Sequence, residues 1–229
     1  MVEINGTGFR RWVEVSIFFL TILLFSSCVK RIPLSTEADS LIKNGLHSHS
    51  QIRNIKGYMN ILIHGPNLSF TTSGNFYYKK SGMFRLNMFE GFIPAREDMI
   101  LLPDRIILPS KLSGIEILNY ENIRHITSLI WDDLLLVPER YSVKKKKGYY
   151  VIKTKQFNIY IDKILGEVTQ IKDRKNRITV FLSNFNKTDD LLLPHRIRIR
   201  FRGGEMNISF RQLQVNKDIP DSLFNINSR

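Results

Sequence analysis

From Ile52 to Val215 the chain alternates apolar and polar residues, in short runs separated by turn residues. The plainest run is His195-Arg196-Ile197-Arg198-Ile199-Arg200-Phe201-Arg202, in which every even-numbered residue is arginine. Successive side chains of an extended strand point to opposite faces, so such a run places its apolar set on one side and its charges on the other. The alternation predicts strands over Ile55–His64, Ser69–Lys79, Met83–Phe89, Asp98–Leu102, Arg105–Leu108, Tyr141–Lys145, Gly148–Lys155, Phe157–Asp162, Glu167–Lys172, Ile178–Asn184, Pro194–Arg202 and Glu205–Val215. Pro66-Asn67, Ser81-Gly82, Lys147-Gly148, Leu165-Gly166, Lys175-Asn176 and Gly203-Gly204 supply the turns. Turns this closely spaced leave no room for crossover helices, so the sheet is an antiparallel meander of about eleven strands.

One apolar face of such a sheet must be covered. The chain offers two amphipathic helices for this, at 36–48 and from Asn119 to about Leu135. The first opens on Ser35 or Thr36 as N-cap, with Glu37 and Asp39 in its first turn. The second carries Ile123, Ile126, Ile130 and Leu134 on one stripe, flanked by Leu129 and Trp131. A curved sheet with these helices over its open side satisfies the constraint. Phe70, Phe76, Tyr78, Phe84, Leu86 and Met88 would face those four helix residues. They form either a filled core or the wall of an apolar cavity, and periodicity leaves both readings open.

The N-terminus has a different texture. Arg10-Arg11 precede an apolar run from Val15 to Phe25, which ends in Ser26-Ser27-Cys28. The run is shorter than the ~20 residues that span a bilayer, and the whole reads as a secretory signal. Cys28 is the single cysteine of the chain. Phe25-Ser26-Ser27-Cys28 resembles a lipobox, the acylation signal of bacterial lipoproteins. The expected organisation is a signal peptide over 1–27, a tether over 28–35 after a lipidated Cys28, and one domain over 36–229. Formal net charge is +13, and Arg10 and Arg11 are balanced by Glu3 and Glu14, so the exported part keeps all of it. Export disfavours nucleic acid as partner and favours an anionic membrane surface or an acidic protein. Lys144-Lys145-Lys146-Lys147 is the densest basic surface; it either leans on lipid head groups or is a solvated hairpin turn. The histidines at 47, 49, 64, 125 and 195 are scattered, and no nucleophile elbow, Cys/His pair or carboxylate cluster occurs. No enzyme, metal or cofactor is therefore expected.

Asn54-Ile55-Lys56-Gly57-Tyr58, Phe84-Arg85-Leu86-Asn87-Met88-Phe89-Glu90-Gly91-Phe92, the mid-chain helix and Leu193-Pro194-His195-Arg196-Ile197 occur in an order that resembles the LolA/LolB superfamily of lipoprotein-sorting proteins. The lipoprotein start places the chain nearer LolB. The resemblance implies an incomplete antiparallel β-barrel of about eleven strands with a helical lid over an apolar cavity for acyl chains. It implies a lipoprotein anchored at the periplasmic face of the outer membrane, a monomer that receives lipid or lipoprotein cargo from a LolA-like periplasmic carrier. It also implies a membrane-insertion loop at Gly91, Phe92, Ile93 and Pro94, with Phe92 or Ile93 as the inserting residue. The alternative is an adaptor lipoprotein with a filled core, docking an envelope complex through its basic face.

Overall fold

Alternating isoleucines become the inner face of one large sheet. The computed structural model describes residues 36–47, 51–66, 68–90, 93–94, 98–112, 119–131 and 141–225. The expected signal peptide, Cys28, the tether, Gly91, Phe92 and Leu134 lie outside them. Helix α1 (Thr36–His47) precedes β1 (Asn54–Gly65), β2 (Leu68–Lys79), β3 (Met83–Glu90), β4 (Ile93–Pro94), β5 (Met99–Leu101) and β6 (Ile106–Ile107). A 3-10 turn at Ser110–Leu112 leads to α2 (Tyr120–Trp131). The chain continues through β7 (Ser142–Lys145), β8 (Tyr149–Lys153), β9 (Phe157–Asp162), β10 (Val168–Asp173), β11 (Ile178–Thr188), β12 (Leu191–Phe201) and β13 (Gly204–Val215), and a 3-10 turn covers Asp221–Phe224.

The strands pair antiparallel in the order β6-β5-β3-β2-β1-β13-β12-β11-β10-β9-β8-β7, with β4 attached to the end of β3. β1 and β13 meet in mid-sheet, and β6 and β7 are the edges, so the sheet is an open, incomplete barrel. Thirteen strands are described against about eleven expected. The strand with no counterpart among the stretches read from the alternation is β4, which at two residues is too short to carry a period.

Register turns the alternation into continuous cross-strand rows. Phe70, Ile63, Met206, Ile199, Val180, Ile171, Ile159 and Ile152 are successive partners from β2 to β8, and all but Phe70 are buried. Fully burying an isoleucine is worth about 1.5–3 kcal/mol, so this row is a large part of what holds the wall together. Curvature comes from breaks in the register. One lies between Lys56 and Tyr58 opposite β13, where Gln212 has a φ of 54°, and another between Val168 and Gln170. Extra residues of this kind bend a strand and raise its twist. Gly74 helps in another way: a Cβ there would stand 2.0 Å from the Asn87 carbonyl oxygen, so only glycine lets β2 and β3 approach so closely.

Two polar contacts fix the margins. Arg85 is buried on β3, with Nε 2.9 Å and Nη2 2.5 Å from Asp98 Oδ2, and its other nitrogen bonds the Leu223 carbonyl. This pairing ties the β5 margin and the C-terminal turn to the sheet. At the other end of the chain α1 packs through Gly45, which is buried beside the Gly166 carbonyl between β9 and β10.

Candidate functional site

Beneath α2 the inner face encloses an apolar cavity of about 70 Å³. Its wall comes from Met59, Ile61 and Ile63 of β1, Phe70 and Phe76 of β2, Phe84, Leu86 and Met88 of β3, and Ile197, Met206, Ile208 and Phe210 of β12 and β13. Its roof is Leu112 with Ile123, Ile126, Thr127, Ile130 and Trp131. The i, i+3, i+7 spacing of Ile123, Ile126 and Ile130 turns that stripe inward. The Thr127 hydroxyl donates to the Ile123 carbonyl one turn back, which leaves the roof without a free polar group at that point.

Eight of the ten wall residues expected from sequence line this space: Phe70, Phe76, Phe84, Leu86, Met88, Ile123, Ile126 and Ile130. Tyr78 does not. It is fully buried, with its ring 6.2 Å from Trp131. Trp131, read from sequence only as a flank of the stripe, is part of the lining. Trp131 stands 5.9 Å from Phe210, which stands 5.1 Å from Phe76, which stands 6.4 Å from Phe84. This aromatic chain occupies much of the hollow expected between sheet and helix. The void is apolar but far below the ~300–1,000 Å³ of ligand clefts.

Polar pins hold the roof at both margins. Asn119 Oδ1 accepts the Asn122 amide at 2.8 Å and caps α2. Arg124 and the Tyr120 hydroxyl both donate to the Pro103 carbonyl, between β5 and β6. On the far side His125 Nε2 lies 2.6 Å from Asp173 Oδ2 at the end of β10. The Asp173 side chain is 0% exposed. Burial alone would raise its pKa; the Asn176 amide, then Gln156, His125 and the Asn176 side chain donate to it and hold it below the ordinary carboxylate value. The His125–Asp173 contact joins residues 48 apart, which no local spacing in the sequence records.

The opposite face of the sheet carries a wider groove, about 700 Å³, lined among others by Asn60, Leu62, Thr71, Ser183, Arg196, Arg198 and Asn207. The Arg198 guanidinium stands 4.6 Å above the Phe181 ring, and Arg200 pairs with Glu205 at 2.9 Å. The arginine stripe is thus the solvated face of β12, as alternation requires, and also one wall of a concavity. Lys144 and Lys145 belong to edge strand β7, whereas Lys146 and Lys147 form the turn into β8; all four are exposed. Ile93 and Pro94 pair with Glu90 and Phe89 at the end of β3. Among the described residues no group of three or more His, Cys, Asp or Glu is arranged to hold a metal, and no helix is long and apolar enough to cross a membrane.

The sequence matches no family model and no curated protein. Solved structures show what the fold is. A DUF1329 family protein from Desulfovibrio piger is 16% identical, with a TM-score of 0.51 over 86% of this chain and 98% of its own. A LolA superfamily protein from Nitrosomonas europaea is 10% identical, with a TM-score of 0.51 over 83% of this chain and 98% of its own. A putative outer membrane lipoprotein-sorting protein domain from Vibrio parahaemolyticus follows at 15% identity and a TM-score of 0.42, over 81% of this chain and 98% of its own. The chain therefore has the open, lidded half-barrel fold of LolA-superfamily proteins, as the sequence resemblance implied.

Proposed function

We propose that this protein is a membrane-anchored receiver of acyl chains, taking the lipid of a lipoprotein, or another lipid, under α2 and passing it to the outer membrane. The observation that carries the reading is the apolar void between α2 and the sheet, roofed by a helix that polar pins hold at its margins. Exposing one long acyl chain to water costs on the order of 10 kcal/mol at ~0.8 kcal/mol per methylene. Transfer from a LolA-like carrier must therefore be direct, and it needs no nucleotide or metal if each acceptor binds more tightly than the last. The closed cavity is too small for such a chain, so loading lifts α2. Of the pins, the Pro103 contacts lie near the surface, where a hydrogen bond exchanges for water at a net cost of about 1 kcal/mol, while the part-buried His125–Asp173 contact costs more to open. In this scheme Cys28 is the lipidation site. Gly91, Phe92, Ile93 and Pro94 form the membrane-insertion loop, and the protein works as a monomer.

Native mass spectrometry of the protein extracted from membranes tests the reading. A bound lipid, lost when Ile126→Trp fills the roof, supports it. A lipid-free protein that also fails to take up a fluorescent fatty acid refutes it. The outward groove favours a second reading, an adaptor that binds an acidic envelope partner through Arg196 and Arg198. That reading is carried if a stoichiometric protein partner co-purifies with a lipid-free core and is lost on reversing those two charges.

A further inference from the structure

Among the described residues the exposed large hydrophobic side chains are Tyr141, Tyr149, Ile164 and Leu165. Tyr149, Ile164 and Leu165 fall at the β7–β8 and β9–β10 turns, beside the lysines, whereas Tyr141 precedes β7 at the other end of its hairpin. Ile164 is 91% exposed and Leu165 46%. The turn that displays them is built rather than slack. Asp162 Oδ1 accepts the amides of Ile164 and Leu165 at 2.8 and 2.9 Å, and the Gly166 amide returns to the Asp162 carbonyl at 3.0 Å. Lys163 couples this hairpin to its neighbour. Its amide donates to the Gly148 carbonyl at 3.0 Å and its ammonium to the Lys146 carbonyl, and the same ammonium lies 5.1 Å from the Tyr150 ring. Asp162 and Glu167 are the acids of this hairpin, and against Lys144, Lys145, Lys146, Lys147 and Lys163 they leave the two hairpin ends net cationic.

We infer that the paired hairpin ends, with Ile164 and Leu165 as an apolar wedge and Lys146, Lys147 and Lys163 as its cationic collar, form a docking point for an anionic lipid bilayer. A projecting aliphatic pair offers a folded protein no concavity to fill, but it enters a fluid acyl layer without needing a shaped partner. Lysines beside it meet lipid phosphates at the depth where the aliphatic tip reaches the chains, and the exposed Tyr149 ring favours the same interfacial layer. Helix α1, which follows the segment from Cys28, packs with Leu41 and Gly45 against Gly166 of this hairpin. The wedge does not depend on the cavity holding lipid.

The test uses the full chain reconstituted in vesicles, with Ile164→Trp as reporter and brominated acyl chains as quencher. In vesicles containing phosphatidylglycerol the added tryptophan is expected to blue-shift and be quenched about twofold or more. Pure phosphatidylcholine, or Lys146→Glu with Lys147→Glu and Lys163→Glu, should abolish that quenching. An unquenched reporter in the anionic vesicles overturns the wedge, and quenching that survives charge reversal overturns the collar and with it the proposal. Ile164→Ser with Leu165→Ser, both exposed, should leave thermal unfolding and fatty-acid uptake unchanged. Failure of the cavity reading is thereby distinguished from failure of this one.

Discussion

At Asp173 one buried carboxylate decides how the roof of the cavity is tied down. Its two oxygens accept from two backbone amides, Gln156, Asn176 and His125. Because folding lowers its pKa, the stabilisation is fully present above the unfolded value, near pH 4. It is lost as pH falls through the lower folded value, where the native carboxylate takes up its proton. Asp173→Asn keeps the shape but turns an amide toward donors. We expect it to cost about 2 kcal/mol at neutral pH. That difference should close as the pH drops below about 4. Urea denaturation of both proteins at neutral and at acid pH measures it, and a gap constant with pH would mean that Asp173 is not charged in the folded protein.

Helix α1 shows how an element is chosen by its dock rather than by its own preference. Gly45 weakens the last turn, and alanine in an isolated helix would be better by about 1 kcal/mol. In the fold, a Cβ at this position would stand 2.3 Å from the backbone oxygen of Gly166. Gly45→Ala is therefore expected to raise helicity in the excised peptide and to undock the helix in the protein. Limited proteolysis reads this as faster cleavage ahead of β1. An unchanged cleavage rate would place the docking elsewhere. Helix α2 is the counterpart, since its inward stripe and its pins act on opposite faces.

Across the whole molecule, the open sheet presents two edges, and β7 protects one of them with exposed Lys144 and Lys145, which discourage pairing with another chain. The sheet is the rigid partner and α2 the movable one, because the sheet's hydrogen bonds are continuous whereas α2 is held by side chains. Loading a sixteen-carbon fatty acid into a void of about 70 Å³ should therefore lower hydrogen-exchange protection in α2 while leaving β11 to β13 unchanged. Protection unchanged in α2 on loading would mean the ligand sits elsewhere.

Spacing was enough to read the sheet, its antiparallel sense and the inward stripe of α2, because a strand or helix assigns faces by its own period. Three features were out of reach for the same reason. The Arg85–Asp98 and His125–Asp173 pairs depend on which strands lie side by side. The turn at Leu165-Gly166 was readable, but that Ile164 and Leu165 stand exposed beside the lysine turn depends on the pairing of β8 with β9. Tyr78 and Trp131 exchanged roles because ring positions depend on the height of the helix above the sheet.

The amino-acid order by itself determined which side of each strand is apolar, and hence that a curved wall with helical cover must form. Only the tertiary structure decided how much room lies beneath that cover. Volume is the small difference between the space a backbone encloses and the side chains that fill it, and no local spacing records either quantity.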